Sequence, residues 1–181
     1  IWRQIYLRRG TKVTLAASTI MFNAAPMLGL VVRDVLGIAI MGFVAGATMG
    51  GLVLSRSIMW ADVIDEDETK TGVRREGMYS GIAAPIGQID PIVVGAGSAF
   101  LLKSIGFISG VAPKDQPLSV GPGIRLGWAI FTLAFTAIML VFLKFYPLGK
   151  KKVEEVGKEI EKMHAEKAKK LEKMKDQAEM R

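Results

Sequence analysis

The sequence predicts an all-α, polytopic membrane protein with four spans followed by a charged helical tail. Three observations carry this. Val13 to Val32 and Val35 to Leu54 are each 20 residues without a formal charge, and Leu126 to Leu143 is a further 18. An α-helix needs ~20 apolar residues to cross a ~30 Å hydrocarbon layer. Gly77 to Leu102 is a fourth run, of 26 residues, whose one charge is Asp90. From Lys150 onward, Lys and Glu surround a thin apolar stripe, so the 181 residues divide into a loop at 1–12, a membrane part at 13–148 and a tail at 149–181.

The net charge is +7, and its placement explains it. Lys and Arg number 20 in residues 1–12, 55–76 and 144–181, against 4 in residues 33–34 and 103–125. The positive-inside rule then places both ends and the 55–76 segment in the cytoplasm of a cell-membrane protein. This account of the basic charge leaves no case for nucleic acid. There is no cysteine, which excludes a disulfide framework and thiol chemistry. Beginning at Ile1 in a basic segment, without an initiator methionine or signal peptide, the chain reads as a piece of a longer protein.

Each element follows in order. In the first span, Asn23 and Pro26 interrupt the apolar run, and the missing proline N–H makes a packing kink. A tight Arg33-Asp34 turn makes the first two spans antiparallel neighbours. The second span carries Gly42, Gly46 and Gly50, a small-xxx-small pattern that predicts close helix packing on that face. In the third span, Pro85 and Pro91 bracket Gln88 and Asp90. An intramembrane acid costs ~2.5–3.5 kcal/mol on insertion scales and calls for a cavity or a partner. Broken helices bearing polar groups are what transporter sites are built from, so Gln88 and Asp90 are candidates for a substrate or cation pathway. Lys103 to Arg125 reads as an external loop. The last span is uniform, with Trp128 and Tyr146 as interface anchors. In the tail, Val153, Val156, Ile160, Met163, Leu171 and Met174 recur at helical spacing, predicting a helix on the lipid surface or against the protein, with a short coiled coil as the alternative. His164, the one histidine, is expected to be ordinary surface.

No catalytic or metal-binding spacing occurs, so no enzyme is expected. The acids of ADVIDEDETKTGVRREG, residues 61–77, do allow a metal to be drawn, but Lys70, Arg74 and Arg75 oppose it. That stretch is the most informative in the chain. Continued helix past Leu54 to Lys70 would project ~24 Å beyond the span. Asp62, Asp65, Glu66 and Thr69 then share one face, while acids at a helix C-terminus oppose its dipole. Glu66 and Lys70 form a favourable i,i+4 pair, Gly72 suits a left-handed cap, and Arg74 with Arg75 return from the turn. Glu76 opens the next helix, where its charge fits. Asp62 and Asp65 are expected to face outward as spare acids for a partner surface.

ADVIDEDETKTGVRREGMYSG, lying between two spans, resembles the signature between helices ten and eleven of the glycoside-pentoside-hexuronide:cation symporters, the melibiose-permease-like branch of the major facilitator superfamily. LRRGTK before the first span is similar to that family's loop between helices eight and nine, and GAGSAF adds to the likeness. The resemblance implies helices nine to twelve of a twelve-helix transporter that couples a sugar-like solute to Na⁺ or H⁺ by alternating access. The partners it implies are the solute, the bilayer and the remaining N-terminal part of the transporter, with no cofactor beyond the coupling cation. It also implies that Asp62, Asp65, Lys70, Arg74 and Glu76 form a cytoplasmic gate network. Gln88 stands where sugar-transporting relatives carry a lysine, and Val53 where they carry an aromatic that Trp60 does not replace in register. A lipid or other organic solute is the alternative cargo, and a membrane scaffold with a partner-binding tail is the alternative class.

Overall fold

The computed structural model describes residues 1–32 and 34–179. Its helices are α1 (Trp2–Arg9), α2 (Thr11–Leu28), α3 (Val35–Thr71), α4 (Glu76–Gly87), α5 (Ile89–Ser104), α6 (Val120–Phe145) and α7 (Lys150–Glu179), with a 3-10 turn at Pro113–Asp115. Three units are long and apolar enough to cross a membrane: α3, α4 with α5 as one 29-residue stretch, and α6. The fourth expected span is α2, whose 18 residues fall short because Lys12, Asn23 and Pro26 lower its hydropathy. Most large apolar side chains on these helices are exposed, including Phe43, Phe100 and Phe142. In a membrane helix such faces meet lipid or further spans.

The expected loop at 1–12 is helical. Arg8 and Arg9 suit the C-terminal end of α1, and Gly10 (φ 82°) turns the chain into α2. The Trp2 indole N–H donates to the Ala47 carbonyl at 2.8 Å, laying α1 along α3. Arg33 of the expected α2–α3 turn lies outside the described residues. Asp34 beside it caps α3, its carboxylate accepting from the Gly37 N–H at 3.0 Å.

The α2–α3 contact is the most extensive in the molecule, and small polar residues line it: Thr14, Ser18, Thr48 and Ser55 are buried. Thr14, Ser18 and Thr48 return their hydroxyls to their own helix backbone and so stay satisfied where the helices approach, whereas the buried Ser55 hydroxyl has no partner among the described residues. The closest approach is at Gly51, where a Cβ would lie 2.6 Å from the Trp2 ring and 2.7 Å from the Ser18 Cβ. This corrects the expectation for Gly42, Gly46 and Gly50. A Cβ at Gly42 or Gly46 meets nothing within 4 Å, and one at Gly50 only touches Trp2 at 3.9 Å. Across the bundle, Asn23 donates to the Thr136 hydroxyl at 2.6 Å and ties α2 to α6. The expected external loop is shorter than its sequence span, because α6 begins at Val120.

Candidate functional site

Helix α3 is unbroken for 37 residues, ~55 Å at 1.5 Å per residue. It therefore outruns the apolar stretch that ends at Leu54, and residues 55–71 project beyond it. Gly72 ends the helix in the left-handed region (φ 73°), with its N–H on the Glu68 carbonyl at 2.8 Å. Only a residue free of a Cβ penalty turns the chain so sharply here. Arg74 and Arg75 are thereby carried back along the helix they have just left.

Four of the five acids at this end are paired. Arg74 reaches Asp65 at 2.8 Å, Glu76 at 3.3 Å and Glu68 at 3.4 Å. Arg75 binds Asp67 through both its Nε and Nη2 nitrogens. Glu66 accepts from Lys70 at 2.9 Å and from Lys152 of α7 at 3.1 Å. Glu68 is 1% exposed and takes Lys167 at 2.9 Å and His164 at 3.0 Å. These bonds hold the carboxylates low: Lys70 then Lys152 at Glu66, Arg75 at Asp67, and Lys167 first at Glu68 against the opposing effect of burial. Asp65, expected to face outward, is instead spent on Arg74.

His164 is not ordinary surface. With Lys167, which also donates to the Gly72 carbonyl at 2.9 Å, it fastens α7 to the hairpin. Glu66 and Glu68 point ~200° apart around α3, and Lys152 and His164 are ~18 Å apart along α7. The tail helix therefore crosses the end of α3, gripping it from two sides. Val156 and Ile160 are buried in this crossing, whereas Leu171 and Met174 are exposed. Of the expected positions for the tail, docking against the protein describes its first half. The missed signal was available, since His164 and Lys167 flank the stripe of Val156, Ile160 and Met163 on one helix face.

Asp62 is different. It turns inward toward the corner of α1, α2 and the segment after α6, and its buried Oδ2 has no hydrogen-bond partner among the described residues. Burial, then the nearby Asp65, pushes its carboxyl up to about 6, against an opposing Thr11 hydroxyl. Tyr146 beside it, with Lys12 5.8 Å from its ring, is raised to about 12 by burial and then by Asp62.

The third span breaks where the prolines place the break. Gln88 closes α4 with a 3-10 bond to the Pro85 carbonyl at 3.1 Å, and Pro91 offers no N–H to the Gly87 carbonyl. An open groove lies between α3 and α4, lined by Arg56, Ser57, Trp60, Ser80 and Gln88 among others. Trp60 is held edge-on to Tyr79, with ring centres 6.4 Å apart and planes at 86°. The structure thus brings Gln88 to a cavity and leaves Asp90 exposed outside its lining. Arg56 and Trp60 were missed as site residues, although Val53, Arg56, Ser57 and Trp60 share one helix face. No group of three or more His, Cys, Asp or Glu among the described residues is arranged to hold a metal.

A family model described as MFS/sugar transport protein matches residues 1–150. Over 114 residues, 61% of this chain, the sequence is 32% identical to the glucuronide carrier protein homolog of Escherichia coli (strain K12). The chain spans about a quarter of that relative's length, the match covering 24% of it. No solved structure matches.

Proposed function

We propose that this chain, which belongs to the MFS/sugar transport protein family, forms helices nine to twelve of a cation-coupled symporter for a sugar or glycoside. The observation that carries the reading is the hairpin from Asp62 to Glu76. It joins two membrane helices and, Asp62 apart, neutralises its acids with its own basic residues and with α7. Such a structure costs little to hold closed and can exchange partners when the opposing half of the transporter approaches, which is what an alternating-access gate requires. In this reading the hairpin and both ends of the chain are cytoplasmic, as the basic charge favours. Asp62, Asp65, Lys70, Arg74 and Glu76 act as the inner gate, and Gln88 lines the solute path. The coupling cation is Na⁺ or H⁺. A relative named as a glucuronide carrier homolog favours a sugar acid or its glycoside over a lipid as cargo.

The test is uptake and counterflow in the complete transporter. Arg74→Ala and Asp65→Asn should insert and express normally while net uptake falls at least ~10-fold, the loss expected when a hydrogen-bonded charge pair is broken at ~1.4 kcal/mol or more. Wild-type uptake in both variants would remove the gate assignment.

A further inference from the structure

On the reading that the α3–α4 groove belongs to the solute path, we propose that Arg56 recognises a carboxylate of the solute. Trp60 supplies a face for the sugar ring, and Gln88 with Ser57 or Ser80 takes its hydroxyls.

Four observations converge on this assignment. Arg56 is exposed on the groove and, among the described residues, has no acid within ion-pair distance. The arginines of the hairpin, by contrast, are each paired. No acidic residue lines the groove, so an entering carboxylate meets no like charge. Because Gln88 is neutral, Arg56 is the cation on that lining, and a planar guanidinium binds a carboxylate through two parallel hydrogen bonds. Trp60 lies one turn beyond Arg56 on the same face and is fixed by Tyr79 while still 39% exposed. An aromatic face one helical turn from a carboxylate-binding fork matches the two ends of a uronic-acid ring. Asp90, outside the groove, plays no part in this recognition.

Arg56 also lies two residues beyond the apolar run, where a lipid phosphate offers the same anionic oxygens. The lining adds the Ser57 and Ser80 hydroxyls, the Gln88 amide and the Trp60 ring from two helices, a set that matches the several hydroxyls and the apolar face of a sugar acid.

The experiment compares uptake of p-nitrophenyl β-glucuronide with that of p-nitrophenyl β-glucoside by the complete transporter in vesicles. Wild type should prefer the glucuronide. Arg56→Gln should cut glucuronide uptake at least ~10-fold through KM with glucoside uptake unchanged, since the variant no longer pairs the carboxylate through a charged two-bond fork and the glucoside has no carboxylate to lose. Arg56→Lys, keeping charge without the fork, should recover part of it. Equal loss of both solutes, an unchanged ratio in Arg56→Gln, or a wild type that carries the glucoside but not the glucuronide overturns the carboxylate assignment while leaving the transporter reading intact. A loss seen with phosphatidylglycerol vesicles and absent from phosphatidylcholine vesicles assigns Arg56 to a headgroup and overturns it too. A correctly inserted wild type that carries neither these nor any other sugar refutes the transporter reading itself, and this assignment with it.

Discussion

Replacing Glu68 by glutamine tests whether charge holds α7 across the end of α3. The side chain is 2% exposed and faces Lys167 at 2.9 Å, His164 at 3.0 Å and Arg74 at 3.4 Å. A hydrogen bond to a charged group is worth ~1.5–3 kcal/mol when desolvated, and an exposed ion pair ~0.2–1 kcal/mol. Lys167 and His164 are 45% and 49% exposed around an acceptor that is not, so each bond falls between these limits at about 1 kcal/mol. Arg74 keeps Asp65 at 2.8 Å and loses little. Glu68→Gln preserves volume and an accepting oxygen but removes the charge, about half of each bond, and should weaken docking by ~1 kcal/mol, raising the opening equilibrium about 5-fold. Amide hydrogen exchange in α7 reads this directly, with α6 as the internal control. Lys167→Met also gives up the Gly72 carbonyl and should open α7 at least as much, and the double variant should fall short of the sum of the two, because they share one interaction. Unchanged exchange in Glu68→Gln, or full additivity in the double variant, would refute charge docking and leave Val156 and Ile160 as the fastening.

Three other outcomes follow from the same structure. Asp62 has a raised carboxyl, so its protonated form fits the fold; the contribution is complete below the ordinary value of ~3.9 and is lost as pH rises through about 6. Facing Asp65, Thr11, Tyr6 and Tyr146, Asp62→Asn should raise the thermal midpoint at pH 8 and leave it unchanged at pH 4; an equal shift at both would show that the gain has another source. Gly51→Ala should destabilise by ~1–3 kcal/mol through overpacking against Trp2 and Ser18, whereas Gly42→Ala should leave the α2–α3 pair untouched, both read by thermal melting. Pro91→Ala restores an N–H to the Gly87 carbonyl and should slow amide exchange across residues 86–91; unaltered exchange would mean that the break is not set by the proline.

The parts legible in the sequence are those decided within a few residues. The extension of α3, its glycine cap, the Glu66–Lys70 pair and the return of Arg74 and Arg75 all follow from spacing on one helix and one turn. What the sequence hid depends on neighbours. A glycine row marks a smooth face without saying what meets it, and Gly51, ~100° round the helix from Gly50, is where Trp2 and Ser18 press. Likewise Gln88 and Asp90, grouped by their prolines, point ~200° apart when the chain stays near-helical, so one groove receives only one of them. The tail's amphipathic stripe announced a partner, but only the crossing geometry identified Glu68 as what His164 and Lys167 reach.

The charges left over separate two jobs on one helix. Asp65, Glu66, Asp67 and Glu68 each have a cation within 4 Å, whereas among the described residues Asp62 has no cation and Arg56 no acid within that distance. These two lie six residues apart and so ~120° apart around α3, one turned to the α1–α2 corner and one to the groove. Helix α3 carries no proline and is continuous between them, so a displacement at one is passed to the other with little bending. The opposite wall, α4 with α5, carries its break at Gln88, level with the groove. In the transporter we propose, a stiff wall bearing both of these charges against a jointed wall couples solute contact and hairpin rearrangement through rigid movement of α3, with the joint at Gln88 taking up the change in shape.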